Sequence, residues 1–174
     1  MPRTHRPTHQ PEPPISTFRV RILGGFLAPE DVRAVWREIE VAANQTLADL
    51  GEAIPLAFSF DDPHLWSFFL SGQAWDPASE YALDSQPDPF SGRRARAARR
   101  VQIRDVPLPG ASGKKEFLFL FDFGDEWHFG VKLVRLSPTV EPGVRYPRVV
   151  AQQGEAPPQY PELEDEGEDE DEES

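Results

Sequence analysis

Phe117-Leu118-Phe119-Leu120-Phe121-Asp122-Phe123-Gly124-Asp125-Glu126-Trp127-His128-Phe129-Gly130-Val131-Lys132-Leu133 reads as a β-hairpin. Two apolar runs alternate at the period of a strand, and Gly124-Asp125 between them is a two-residue hairpin connection. With that pair as the loop, Asp122 opposes Trp127, Phe121 opposes His128, Leu120 opposes Phe129 and Phe119 opposes Gly130. One face then carries Leu118, Leu120, Asp122, Trp127, Phe129 and Val131. The other carries Phe117, Phe119, Phe121, His128 and Lys132, with Phe119 covering the bare Gly130. Both faces are apolar enough to need cover, which predicts that the hairpin over residues 116–136 is central in its sheet.

Working outward, Thr17-Phe18-Arg19-Val20-Arg21-Ile22-Leu23 alternates apolar and basic residues, as a half-buried strand does. Residues 32–42 fit two patterns: a helix opened by Pro29-Glu30-Asp31, or a period-two strand through Val35, Arg37, Ile39 and Val41. Thr46 with Asp49 forms a capping-box-like start, and Leu47, Leu50, Ile54 and Phe58 mark one face of a helix near 47–58. Pro55 lies inside it, opposite the carbonyl of Gly51, where a kink or tightening is expected. His64–Leu70 is a further strand candidate, and Tyr146–Val150 a last short one. Residues 71–92 read as a long connection holding Trp75 and Tyr81. Arg93–Arg100 reads as a basic helix or loop.

Composition narrows the function classes. Residues 1–15 hold five prolines and almost nothing apolar, and ten of the thirteen residues from Glu162 onward are acidic. Neither stretch buries enough surface to offset the entropy of ordering, so both are expected to be disordered around a domain over 16–161. Ten of the thirty acidic residues lie in that last run, leaving twenty against eighteen Lys+Arg, a body charge of about −2 despite the net −12. The absence of cysteine excludes disulfides and thiolate-bound zinc or iron–sulfur clusters. No run approaches the ~20 apolar residues of a membrane span, which predicts a cytoplasmic protein that does not enter the membrane.

Five segments carry a family resemblance. They are Trp36-Arg37-Glu38-Ile39-Glu40-Val41, Thr46-Leu47-Ala48-Asp49-Leu50, Asp61-Asp62-Pro63-His64-Leu65-Trp66-Ser67-Phe68, the Phe121–Trp127 turn, and Tyr146–Val150 with Gly154–Pro161. In this order they resemble the plasmid pRiA4b ORF-3-like family, also known as an insertion-element passenger protein, over about residues 16–161. The resemblance implies a compact α+β domain in which a sheet packs on the Thr46–Phe58 helix, a setting on mobile elements, and no established reaction. It also favours a strand over Trp36–Val41. The expected fold is therefore α+β: a mainly antiparallel sheet with a central 116–136 hairpin packed on a helix near 47–58. The chain departs from the family at Gly51, where many members carry His, and at Ser59-Phe60, which replaces Gly-Trp.

The chemistry-bearing residues support two readings. Asp122-Phe123-Gly124 matches the metal-binding triplet of protein kinases, but no Gly-rich phosphate loop or catalytic loop accompanies it, and that reading is rejected. No serine lies in a nucleophile elbow, which excludes a serine hydrolase of that type. Asp61, Asp62, His64, Asp125, Glu126 and His128 supply oxygen and imidazole ligands suited to a divalent ion. Against this, Asp122, Gly124 and Trp127 fit a structural turn whose carboxylates accept backbone hydrogen bonds. Arg93, Arg94, Arg96, Arg99 and Arg100 are candidate nucleic-acid contacts, with a solvated basic face as the plainer alternative. The expected function is a non-enzymatic binding or adaptor module acting on protein or nucleic acid, with no cofactor. The alternative is a metal-dependent hydrolase or nuclease-like enzyme built on the acidic hairpin and the 61–64 loop.

Overall fold

A computed structural model describes residues 14–162 apart from 86 and 88–91. In chain order they form β1 (Ile15–Gly24), β2 (Trp36–Ala42), α1 (Leu47–Ala57), β3 (Trp66–Phe69), β4 (Glu80–Ala82), β5 (Arg96–Ala97), β6 (Phe117–Phe121), β7 (Trp127–Ser137) and β8 (Arg148–Gln153). The eight strands make one sheet in the order β5-β4-β3-β6-β7-β1-β2-β8, with the β6–β7 hairpin at its centre. The sheet is mixed: β5 runs parallel to β4, and the other neighbours are antiparallel. With one α-helix among the described residues, the architecture is sheet-dominated α+β. Ile15, expected in the N-terminal arm, is instead the first residue of β1. The expectations for residues 1–13 and 163–174 lie outside the described residues.

The hairpin differs from its sequence reading by one residue of register. Phe121 opposes Trp127, Leu120 opposes His128, Phe119 opposes Phe129 and Leu118 opposes Gly130. The loop spans Asp122 to Glu126 rather than Gly124-Asp125 alone. Asp122 (φ 61°) and Glu126 (φ 50°) both take the left-handed conformation, and the Glu126 amide closes the loop on the Asp122 carbonyl at 2.7 Å. Because side chains alternate faces, this shift turns every β7 residue over. Trp127, Phe129 and Val131 join Phe117, Phe119 and Phe121 in the main core. Gly130 is covered by Glu116 and not by Phe119: a β-carbon there would stand 2.5 Å from the Glu116 carboxyl carbon. That carboxylate accepts two hydrogen bonds, at 2.7 and 2.8 Å, from Arg21, the residue opposite Gly130 on β1.

The main core is aromatic. Phe119 alone neighbours the rings of Trp66, Phe68, Phe121 and Phe129, with centroids 4.7 to 6.5 Å apart. Leu47, Leu50 and Ile54 of α1 belong to the same buried cluster as Phe18, Val20 and Ile39 of the sheet. Thr46 caps α1 with the expected reciprocal bonds to Asp49. The helix is one α segment through Pro55. Gly51 serves a close approach: a β-carbon there would lie 2.5 to 2.8 Å from three atoms of the Trp66 indole.

Arg37 ties three elements together from a nearly buried position, 6% exposed. Its Nε donates to the Ala57 carbonyl at the end of α1 at 3.0 Å, and Nη1 reaches the carbonyls of Trp36, Gln153 and Gly154 at 2.9 to 3.1 Å. The guanidinium also lies 5.1 Å from the centre of the Phe58 ring. Burial pulls its pKa below the ordinary guanidinium value.

The second face of the sheet carries a small cluster of Phe69, Leu118 and Leu120 with Leu23, Ala74 and Phe123. Two short strands, β4 and β5, form where the sequence reads only a long connection and a basic helix or loop. Parallel pairing of two or three residues leaves no periodic signal within either segment. The final strand runs from Arg148 to Gln153, three residues beyond its expected end.

Candidate functional site

The acidic residues singled out by sequence divide among separate tasks. Asp122 Oδ1 accepts from the amides of Gly124 and Asp125 at 3.0 and 3.3 Å, an Asx turn that holds the left-handed residue in place. Its other oxygen stands 3.4 Å from His64 Nε2. The same imidazole nitrogen lies 2.7 Å from the Tyr160 phenol oxygen, and the His64 ring meets Phe121 edge-on. Gln159 clamps Asp62, accepting from its amide at 3.2 Å and donating to its carbonyl at 3.1 Å. Tyr160 is thereby held against the 61–64 loop. Partial desolvation raises its pKa above the ordinary phenol value, with the Asp62 hydrogen bond and the charges of Asp62, Asp122 and Asp125 adding to the shift.

The remaining members of the set lie apart from this group or are otherwise engaged. The Asp125 carbonyl accepts from the Phe26 amide at 3.1 Å. Glu126 Oε1 accepts from the Trp75 indole at 3.0 Å. His128 sits within β7 opposite Leu120. Asp61 is exposed. Among the described residues no three or more His, Asp or Glu side chains converge in a group able to hold a metal ion. Trp127 is fully buried against Phe60, at 4.8 Å, with its indole nitrogen unpartnered.

The turn's dependence on Asp122 is measurable. An alanine there loses two amide hydrogen bonds and keeps a left-handed backbone that costs it roughly 1–2 kcal/mol. Asp122→Ala is expected to lower stability by about 2–3 kcal/mol in urea unfolding. Asp122→Asn, which tolerates that conformation and retains an acceptor, is expected to cost under about 1 kcal/mol. Equal losses for both would shift the role from turn geometry to charge against His64.

The five arginines do not form one face. Arg99 lies between Glu52 and Asp84, at 3.6 and 3.3 Å. Arg96 donates to the Ala78 carbonyl at 3.0 Å and stacks 5.6 Å over Tyr81. Arg100 is exposed on the turn after β5. Arg93 and Arg94 instead line one side of a groove of about 680 Å³ over β3 and β4, where Arg94 also donates to the Ser85 carbonyl at 3.3 Å.

That groove brings together groups that sequence reading left apart. Its lining includes the apolar side chains Leu65, Trp75, Pro77 and Phe123 together with the two arginines and the carboxylates Glu80 and Asp84. Ser67 and Glu80 lie on its floor, joined by a 2.8 Å hydrogen bond. Trp75 is 51% exposed and yet firmly held. Its nitrogen donates to Glu126, and Phe69 and Phe123 meet its ring at steep angles, with centroids 6.0 and 5.0 Å away. Its backbone is left-handed at φ 63°, a costly conformation for a bulky residue. The sequence signal is a lone tryptophan in a Gly-, Pro-, Ser- and Asp-rich connection.

Comparison with known proteins agrees with this architecture. An uncharacterised protein, y4hQ, from Sinorhizobium fredii (strain NBRC 101917 / NGR234) is 28% identical over 125 residues. The match takes in 72% of this chain and 58% of that relative's length. The crystal structure of MM3350, a protein of unknown function from Methanosarcina mazei Go1, shares the fold with a TM-score of 0.62 at 24% identity. That likeness covers 85% of this chain and 74% of the other. The family model for the plasmid pRiA4b ORF-3-like protein matches residues 28–163, most of the chain and every strand but β1, and the chain belongs to that family.

Proposed function

We propose that the protein is a non-enzymatic binding module whose groove over β3 and β4 takes single-stranded nucleic acid. The supporting observation is Trp75, a half-exposed indole fixed on three sides at a strained backbone position. Strained, solvent-facing aromatic side chains are retained where they serve a site. A base stacks on such a ring whatever its sequence, while the arginines of the same groove meet the backbone phosphates. Glu80 on the floor suits an unpaired strand, because a carboxylate accepts hydrogen bonds from exocyclic base amines. A duplex keeps its base faces stacked away from Trp75 and carries a denser run of phosphates, which the Glu80 and Asp84 charges oppose.

The test is fluorescence anisotropy with short labelled DNA and RNA strands and matched duplexes. It uses the full chain and a full-length variant in which the acids of residues 164–173 are changed to Gln or Asn. Trp75→Ala is expected to weaken single-strand binding by roughly 5- to 150-fold, the range of one lost base stack. Changing both Arg93 and Arg94 to Ala is expected to reduce the dependence of log K on log salt by about 1.4, or about 0.7 per phosphate contact. Equal affinity for duplex and single strand, binding of neither, or binding insensitive to Trp75 would each overturn the proposal. Capture of peptides in place of oligonucleotides would reassign the groove to a protein partner.

A further inference from the structure

We infer that the end of the molecule around the 122–126 turn is a second docking surface, and that it takes a basic amphipathic segment of a partner protein. This stands apart from the reading of the groove over β3 and β4, although Leu65 and Trp75 border both.

Eight large apolar side chains are exposed among the described residues, and four of them are tied to this one turn. Phe26, 73% exposed, donates its amide to the Asp125 carbonyl at 3.1 Å. Leu65, 67% exposed, accepts from the Asp122 amide at 2.9 Å through its carbonyl. Trp75 reaches Glu126 through its indole nitrogen, and Tyr160 reaches Asp122 through His64. A single exposed ring needs no explanation, but four large apolar groups on one turn mark an interaction surface. Their segments are already bonded to the turn, so a partner meets them with little left to order.

Charge identifies the occupant. Residues 22–29, 59–79, 121–131 and 155–162, which build this end, hold eight carboxylates and no Lys or Arg. Among the described residues, Asp61, Asp62, Asp125 and Glu126 have no Lys or Arg within ion-pair distance. Further along the sheet the pattern is the reverse, and Glu38, Glu40 and Glu116 each face an arginine. The bases at the turn end are imidazoles, His64 beside Asp122 and His128 in β7. Arg33, the next cation after Phe26 along the chain, shares its short helical turn with Glu30 and Asp31. Such a surface repels phosphates and attracts lysines and arginines. Exposed rings interspersed with unpaired carboxylates suit a segment whose apolar side chains pack on the rings while its cations reach the acids. Arginine gains further by lying over an aromatic face.

The probes are two labelled peptides with the same leucine face, one with lysines and arginines on its polar face and the other with glutamates. Binding is read by fluorescence anisotropy. The protein is the full-length variant with the acids of residues 164–173 neutralised, so that these do not capture the basic peptide. The basic peptide alone is expected to bind, with amide shifts confined to residues 24–27, 61–65 and 122–126. Phe26→Ser is expected to weaken binding roughly 5- to 30-fold, the effect of losing an aromatic anchor. Asp61→Asn combined with Asp125→Asn is expected to weaken it roughly 2- to 5-fold at low salt and little at high salt, as exposed ion pairs do. None of these three residues lines the groove, and Arg93→Ala/Arg94→Ala should leave peptide binding intact. The peptide and oligonucleotide readings therefore fail separately. Equal binding of both peptides, binding of neither, or binding indifferent to Phe26 and the two aspartates overturns the inference. So does a concentration-dependent dimer in sedimentation that Phe26→Ser abolishes, which would make the occupant a second copy of this chain.

Discussion

Arg37→Met is expected to cost about 3–5 kcal/mol of folding stability, because several buried backbone carbonyls lose a charged donor at once. The side chain is 6% exposed, and among the described residues no carboxylate stands at hydrogen-bonding distance from it. Its charge is met by four backbone carbonyls, from Trp36, Ala57, Gln153 and Gly154. A methionine fills much of the same volume and donates nothing. The carbonyls at the end of α1 and after β8 would then be buried with lost partners, each a penalty of about 1–3 kcal/mol before relaxation. Lysine retains the charge but offers no planar fork, so Arg37→Lys is expected to recover only part of the loss. Urea unfolding followed by tryptophan fluorescence gives the values. Because Gln153 and Gly154 are among the acceptors, hydrogen exchange should show β8 loosening first. A methionine variant within about 1 kcal/mol of the parent would mean the carbonyls find water instead.

Phe119→Ala is the second large effect, also expected at about 3–5 kcal/mol, the usual cost of deleting a buried phenylalanine ring. Phe119 is fully buried on the middle strand pair and is surrounded by four aromatic rings. Trp66, one of the four, is itself pressed against Gly51 of α1, so the rings cannot all slide inward to close the gap. A cavity that cannot collapse gives the upper part of the range. Phe119→Leu should cost under about 1.5 kcal/mol, being nearer in volume. Calorimetry separates the two, and equal losses would point to ring–ring geometry over volume.

Much of this architecture was legible because its signals are local. The alternating residues of β1, the Thr46–Asp49 capping box and the aromatic runs of β6 and β7 each declare themselves within a dozen positions. The one-residue register error came from the turn. Gly124-Asp125 is the pair expected to carry positive φ, yet Asp122 and Glu126 take it, and a glutamate in that conformation has no common sequence signature. The strands β4 and β5 were missed because a pairing of two or three residues is decided by a distant partner. The groove was unreadable for a related reason: Leu65, Trp75, Glu80 and Arg94 come from separate segments and meet only in the fold. Conversely, acidic residues close together in sequence suggested a metal set that the structure disperses onto amides, an indole and a phenol.

The turn between β6 and β7 has a practical corollary for anyone wishing to splice a reporter into this protein. Hairpin tips are ordinarily good insertion points because little else holds them. This one is moored on several sides: the Asp122 amide to the Leu65 carbonyl, the Asp125 carbonyl to the Phe26 amide, Glu126 to Trp75 and Asp122 to His64. Opening the backbone at Gly124 would cast off three separate loops at once and take the groove wall with them. The connection between β7 and β8 is the better berth, since Gly143 there has open space around it.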